Sequence, residues 1–252
     1  MFQAEMRRLR GSQIQAKERQ FPLFLLCTLL PLVALPFADV QGSFLERYSL
    51  PLAVDLLILQ SMRAMPAWQS CIGPLKVNDL YRWLGWLGVI NAWIPFLLGY
   101  NVPLGLRFVF IAIRAAFFVL TAMRVVQVLA ASQVVNARSL MLGAAGYIHL
   151  GLTGGQLATA LQVIDADSFR LGSMAAGEEL VARLSYFSFV TIGTLGYGDV
   201  VPASPIGESF VVLLSITSTL YVSLLIGLLL SRYIDSRTKL AIREVEDEAL
   251  RP

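Results

Sequence analysis

Apolar residues fall into six runs along the chain: Phe21 to Phe37, Leu50 to Met62, Leu84 to Gly99, Leu104 to Ala131, Leu140 to Val163 and Phe210 to Leu230. Polar stretches separate them. A helix needs about 20 predominantly apolar residues to cross the hydrocarbon of a bilayer, within a range of roughly 17 to 25. The pattern predicts six crossings, of which the second is the weakest. It is short, carries Asp55 in its middle, and must borrow residues from Arg47 to Ser49 or from Arg63 to Met65. In the first run Pro22, Pro31 and Pro36 are placed as in a kinked span. Its polar leader is long and no clean small-x-small site comes after it, so a retained span is expected rather than a cleaved signal peptide.

Composition points the same way. Of 252 residues 56% are hydrophobic and 15% charged, whereas a soluble domain carries about 25% charge to face water. The chain lacks the residues to cover a globule. A disordered chain, a nucleic-acid binder and a disulfide scaffold also fit poorly, since the net charge is only +3 and there are two cysteines. Cys27 lies in a predicted span and Cys71 in a predicted cytoplasmic loop, so they are not expected to pair. Arg7, Arg8, Arg10, Lys17 and Arg19 precede the first run, while the first loop holds Asp39, Glu46 and Arg47. Positive charge stays inside, which places the N-terminus in the cytoplasm. Six crossings return the C-terminus there, in agreement with Arg232, Arg237 and Lys239, and put the acidic stretch Asp165 to Glu179 outside. Tyr81, Trp83, Trp93 and Tyr100, towards the two ends of the third run, are either interfacial belts or packing aromatics.

Between the fifth and sixth runs lies Leu180 to Gly193, apolar and aromatic but only 14 residues long. At about 1.5 Å per residue it cannot cross, so it should enter the membrane and stop. The next six residues, Thr194-Leu-Gly-Tyr-Gly-Asp199, are Gly-rich and continue a helix badly. Non-helical backbone at membrane depth is tolerated only where protein buries it or it lines a watery path. If successive carbonyls are to point at one axis, alternate residues must adopt left-handed angles, which glycine does at little steric cost. Gly196 and Gly198 sit at the alternating positions, and Thr194 adds a hydroxyl to the carbonyls of Thr194, Leu195, Gly196 and Tyr197. Four copies around an axis would stack cages of neutral oxygens that replace the water shell of a weakly hydrated monovalent cation. The half-span ends near Thr191 and Ile192, where the negative end of its dipole would favour a cation in a central cavity.

Thr194 to Asp199 resembles the signature of the potassium-channel superfamily, Thr-x-Gly-Tyr-Gly-Asp, flanked by Tyr186 and Phe187 in the half-span and by Pro202 and Gly207 before the last run. The resemblance implies a K+ selectivity filter at Thr194, Leu195, Gly196, Tyr197 and Gly198, permeant K+ in place of any cofactor, and a homotetramer. It also implies filter support from Asp199, from Tyr186 and Phe187 packed around an outward Tyr197, and from Thr191. Two departures stand out. Gly193 replaces a residue that usually carries a hydroxyl, and is expected to loosen the end of the pore helix. The glycine often found about twenty residues past the filter is Ser218, within Ser215-Ile-Thr-Ser-Thr219, where hydroxyls bend a helix mildly; Gly227 is the alternative hinge. Any gate near Leu225 to Leu230 would close by hydrophobic constriction. Glu178, Glu179 and Glu208 either concentrate cations or are solvated loop acids.

The six-run plan resembles voltage-gated cation channels, with Asn91-Ala-Trp-Ile-Pro-Phe-Leu-Leu98 similar to their proline-containing third span. Their fourth span carries arginine every third residue; here only Arg107, Arg114 and Arg124 occur. At about 100° per residue the first two share a helix face and the third lies roughly 80° from Arg114. Weak or absent voltage dependence is expected. The alternatives are that Arg114 pairs with Asp55 inside the bundle, or that Arg107 and Arg124 snorkel to opposite interfaces. His149 is either an interhelical hydrogen-bonding residue or a pH switch, and Gly151-Leu-Thr-Gly-Gly155 reads as close helix packing rather than a phosphate loop. Ile234 to Leu250 is a short helix that bundles with its copies, or a frayed tail.

The expectation is therefore an all-α integral membrane protein, with six transmembrane helices, a re-entrant pore helix and a selectivity-filter loop in a tetrameric pore. Residues 1–20 form a cytoplasmic segment, 21–131 a voltage-sensor-like domain, 132–233 the pore domain and 234–252 a short cytoplasmic helix. Such a protein lies in the cell membrane, is no enzyme, and has K+, the lipid bilayer and its own copies as partners, with no nucleic acid. A secondary transporter would need charges converging at midplane from broken helices, for which only Asp55, Arg114 and His149 qualify. A non-conducting regulatory subunit of another channel is the third reading.

Overall fold

The computed structural model describes residues 16–39, 44–66, 74–98, 103–132, 136–171 and 178–249. Every apolar run lies on a helix. These are α1 (Phe21–Ala34), α2 (Phe44–Ala64), α3 (Pro74–Leu98), α4 (Leu104–Ala131), α5 (Ala137–Ile164), α6 (Glu178–Ile192) and α7 (Pro205–Ala249). Two short strands, β1 (Phe169–Arg170) and β2 (Val201–Pro202), pair antiparallel, so the fold is all-α apart from this ladder. Arg7, Arg8, Arg10, Cys71 and Tyr100, and the side chains of Asp39, Glu46, Arg47, Glu178, Arg232, Arg237 and Lys239, lie outside the described residues.

Two prolines of the first run act at its ends, while Pro31 lies buried inside α1. Pro22 sits in the first turn of α1, and around Pro36 the chain tightens into a 3-10 turn over Leu35–Asp39. A proline nitrogen has no hydrogen to give the carbonyl a turn earlier, so the prolines inside helices, Pro31 in α1 and Pro51 in α2, each leave one bond of the ladder unmade. The weak second run becomes 21 residues by extending at both of its ends.

Among the described residues, three helical stretches are apolar enough by length and composition to cross a membrane: Glu18–Phe37, Gly105–Ala131 and Pro205–Leu228. That is fewer than the six expected. Helices α2, α3 and α5 have the length, at 21, 25 and 28 residues, but carry more polar positions. Those positions face protein: Asp55, Gln60, Asn91, His149, Thr153 and Gln156 are all buried.

Helix α5 organises the packing, touching α1, α4, α6 and α7. Its glycines are the contact points. A Cβ at Gly143 or Gly146 would run into Leu225 or Tyr221 of α7, and one at Gly151, Gly154 or Gly155 into Phe189, Ser188 or Ser185 of α6. The Gly151 to Gly155 stretch is thus a close-packing face, as its lack of a lysine suggests. One core gathers Phe24, Leu57, Tyr81, Phe117, Phe118 and Leu142; a second gathers Ala158, Phe169, Leu184, Phe187 and Val200 beside the loop after α6.

Helix α7 runs unbroken for 45 residues. The separate helix expected from 234 onward is instead its continuation. No Gly or Pro occurs between Leu228 and Ala249, and Asp235 with Lys239 and Arg243 with Asp247 have the spacing that supports a helix.

Candidate functional site

Helix α6 has 15 residues, about 22 Å, short of a bilayer's hydrocarbon. It is held along its length by α5. The Ser188 hydroxyl donates to the Gly151 carbonyl at 2.7 Å, and Ser185 fills the space left by Gly155. Phe187 turns into the second core, edge-on to Phe169 at 5.3 Å. Neighbours along a helix point about 100° apart, so Phe187 serves the scaffold on a different side of α6 from Tyr186, which is 39% exposed.

The end of α6 is tightly closed. The Gly193 N–H donates to Phe189 O at 2.9 Å, Thr194 N–H to Thr191 O at 3.0 Å and Leu195 N–H to Val190 O at 2.9 Å. The last two are the paired bonds of a Schellman motif, which puts Thr194 at the position usually held by a left-handed glycine. Its φ is +59°, a conformation that costs an ordinary residue about 1–2 kcal/mol. From α5 the Tyr147 hydroxyl donates to Ile192 O at 2.9 Å. All four terminal carbonyls thus have partners. The loosening expected from Gly193 is not found, because these bonds use backbone and need no side chain at that position. The dipole's negative end likewise ends in bonded rather than open carbonyls. Thr191 supports the loop through its carbonyl, while its hydroxyl returns to Phe187 O at 2.9 Å.

Beyond Thr194 the left-handed residues alternate: φ is +59° at Thr194, +60° at Gly196 and +77° at Gly198. The glycine pattern suggests two such residues; the structure has three. Around Gly196 and Gly198 a Cβ would meet nothing within 4 Å, so backbone angle and not space requires glycine there. Alternation of this kind turns successive carbonyls to one side of an extended chain, the arrangement that lets main-chain oxygens replace a hydration shell. The loop lies open on one face of the protomer, with Leu195 59% and Tyr197 66% exposed.

Its outer end is fastened from two directions. The Tyr186 hydroxyl lies within electrostatic reach of the Asp199 carboxylate and of Tyr197. Val200 is buried, and β2 pairs with β1 with Phe169 opposite Pro202 and Arg170 opposite Val201. The Ala203 N–H donates to Ser168 O at 2.9 Å. Gly207 is needed here, since a Cβ would come 2.5 Å from that same carbonyl. This clamp escaped sequence reasoning; its one signal is Phe169, an aromatic alone in an acidic loop. On α7, Ser218 is buried and its hydroxyl donates to Ser215 O at 2.8 Å, which also receives Thr219 at 3.0 Å. Gly227 has no neighbour within 4 Å of a would-be Cβ. The helix is continuous through both. Glu208 is exposed.

Residues 174–235 match the family model described as an ion channel. The matched segment contains α6, the alternating loop, β2 and most of the apolar part of α7. The segment is similar to an ion channel, and channels move ions without chemistry, which agrees with the expectation that the chain is no enzyme. No curated protein and no solved structure matches the chain.

In front of the matched segment the charges are arranged differently from expectation. Asp55 accepts a hydrogen bond from the Trp93 indole at 2.7 Å instead of pairing with Arg114. Its other oxygen, Oδ1, and Nε of Arg114 both lack partners, although the arginine's charge acts on the carboxylate. The indole of α3 is the partner that the carboxylate takes. Arg124 does not snorkel to an interface. It is 4% exposed, lies 3.7 Å over the Tyr81 ring and donates from Nη2 to Asn78 Oδ1 at 3.0 Å. Tyr81 is accordingly a packing aromatic. Arg107 is exposed at the start of α4. Nε2 of His149 bonds the Phe118 carbonyl at 3.1 Å and the ring stacks on Phe118, the interhelical reading of this residue.

Proposed function

We propose that the chain is the subunit of a potassium-selective channel, in which four copies bring Thr194, Leu195, Gly196, Tyr197 and Gly198 around one axis as the filter. The observation that carries this reading is the alternation of left-handed residues at Thr194, Gly196 and Gly198 directly after a capped half-span. Neutral carbonyl cages suit a weakly hydrated cation such as K+. Support for assembly comes from the exposed loop and from α7, where Val212, Leu213, Ile216 and Leu220 are exposed on a helix that one protomer leaves largely uncovered.

In this reading all six long helices cross the cell membrane, with both termini cytoplasmic, α1 to α4 as a charge-depleted sensor-like domain and α5 to α7 as the pore. Tyr186 and Asp199 support the outer filter, Thr191 its inner end, and Ser218 or Gly227 is the hinge. Arg124 is engaged inside the bundle and Arg114 sits near Asp55. Few charges are left to cross the field, which supports weak voltage dependence. An unbroken α7 and a single non-helical stretch entering from one side, among the described residues, speak against a transporter with broken helices at its centre.

The purified protein in liposomes tests all of this. It is expected to pass K+ far above any coupled-transport rate and to reject Na+. A slow, coupled flux would favour a transporter. No flux at all would favour a regulatory subunit.

A further inference from the structure

The cap of α6 does not close itself completely. Phe189, Val190 and Thr191 carbonyls are taken by N–H groups of later residues in the same segment, but the Ile192 carbonyl is met by a side chain from another helix, the Tyr147 hydroxyl at 2.9 Å. Ile192 is buried and stands two residues before Thr194, where the left-handed alternation begins. The Tyr147 ring lies 6.4 Å from that of Tyr221 on α7, and the Tyr221 hydroxyl points elsewhere, to Gly143 O at 2.8 Å. Gly146 keeps the notch open: a Cβ there would collide with the Tyr221 hydroxyl and come 2.6 Å from Val125 of α4.

We propose that Tyr147 is a positioning residue for ion selectivity, its hydroxyl fixing the last carbonyl of the pore helix and through it the inner end of the filter. The proposal rests on the assignment of Thr194 to Gly198 as a filter. A left-handed threonine is strained and persists only where its surroundings over-determine it. Without the hydroxyl, Ile192 O, in its part-buried place, loses that partner, and the least costly remedy is to turn the last residues of α6 towards water. Thr194 and Leu195 would move with them, and discrimination between ions needs their oxygens at fixed spacing. Tyr221, though in the same ring pair, ties α7 to α5 and has no bond to α6.

The experiment compares wild type, Y147F, Y147Q and Y221F as full chains in liposomes, reading the ratio of K+ to Na+ flux, with hydrogen exchange of the Thr194 and Leu195 amides as a second measurement. Y147F is expected to assemble normally, to lose at least about threefold in the ratio, as suits one hydrogen bond per subunit, and to exchange faster at both amides. Y147Q, which keeps a donor without the ring, should retain more of the ratio than Y147F; a packing role predicts the reverse and would overturn the proposal. So would wild-type ratio and exchange in Y147F, or an equal loss in Y221F. If wild type itself does not separate K+ from Na+, the filter reading fails and the proposal with it. If wild type does and Y147F does equally, only the proposal fails.

Discussion

Polar groups are handled in opposite ways in the loop region and in the front helices. From α6 to β2 the closing bonds are mostly backbone to backbone and short in range: Gly193 to Phe189, Thr194 to Thr191, Leu195 to Val190. In α1 to α4 buried side chains reach across helices. Trp93 finds Asp55, Arg124 finds Asn78, and the Tyr81 hydroxyl meets Thr121 at 3.1 Å. Thr121 gives its own proton to Phe117 O, so Tyr81 must donate. This second scheme leaves Asp55 Oδ1 and Arg114 Nε without partners. The contrast is physical in origin. The proposed filter needs oxygens at set spacings, which short backbone rings define. A supporting bundle needs only to stay together, and apolar burial does that while tolerating an incomplete polar contact at its centre.

The largest effect is expected where backbone angle alone is at stake. Gly196→Ala meets no atom within 4 Å, yet must hold φ +60°, at about 1–2 kcal/mol in every copy of the proposed assembly. The variant should still assemble, with at most a modest fall in melting point, and pass no K+ in a liposome flux assay. A conducting, selective G196A would remove the basis for the filter. Next comes Gly155→Ala. Its Cβ would sit 2.6 Å from the Ser185 Cα, a backbone atom that cannot swing aside, so α5 and α6 must part. A loss of about 1–3 kcal/mol is expected, visible as a lower melting point in detergent. An unchanged melting point would mean that α6 rests on the second core more than on α5.

The loop region was also the more legible part of the sequence. A half-span too short to cross, trailed by alternating glycines, can be read from adjacent residues, and the third left-handed position was missed only because threonine seldom adopts it. The six apolar runs were equally plain. Counting crossings by hydropathy was less so, because Gln60, Asn91 and Gln156 lower an average while facing protein. Partners across helices were not legible. Whether Asp55 meets Trp93 or Arg114 depends on how far α3 and α4 are rotated, which no local pattern encodes. The same holds for Tyr147, whose hydroxyl crosses 45 positions of sequence to Ile192.

Two smaller effects sharpen the comparison within the front helices. Arg124→Gln gives up the cation's place over the Tyr81 ring, 3.7 Å away, worth about 1–2 kcal/mol when buried. A modest fall in melting point is expected, with no change in the steepness of conductance against voltage. A shallower curve in R124Q would mean that this charge moves through the field after all.

Asp55→Asn should matter least, and its size separates two accounts of the bundle. Removing one member of a buried ion pair typically costs about 3–5 kcal/mol, since the other charge is stranded. Asp55, however, accepts one bond, from the Trp93 indole at 2.7 Å, and asparagine keeps an oxygen for that donor. The second carboxylate oxygen has no partner to lose. The cost should therefore be about 1 kcal/mol or less, the net worth of altering one hydrogen bond. It is offset in part because a buried charge has been taken away. Thermal unfolding of D55N within a few degrees of wild type would agree with an indole-held carboxylate. A collapse on the scale of a broken ion pair would mean that Arg114 closes on Asp55 in the working protein, and that the front helices share the tight polar closure of the loop.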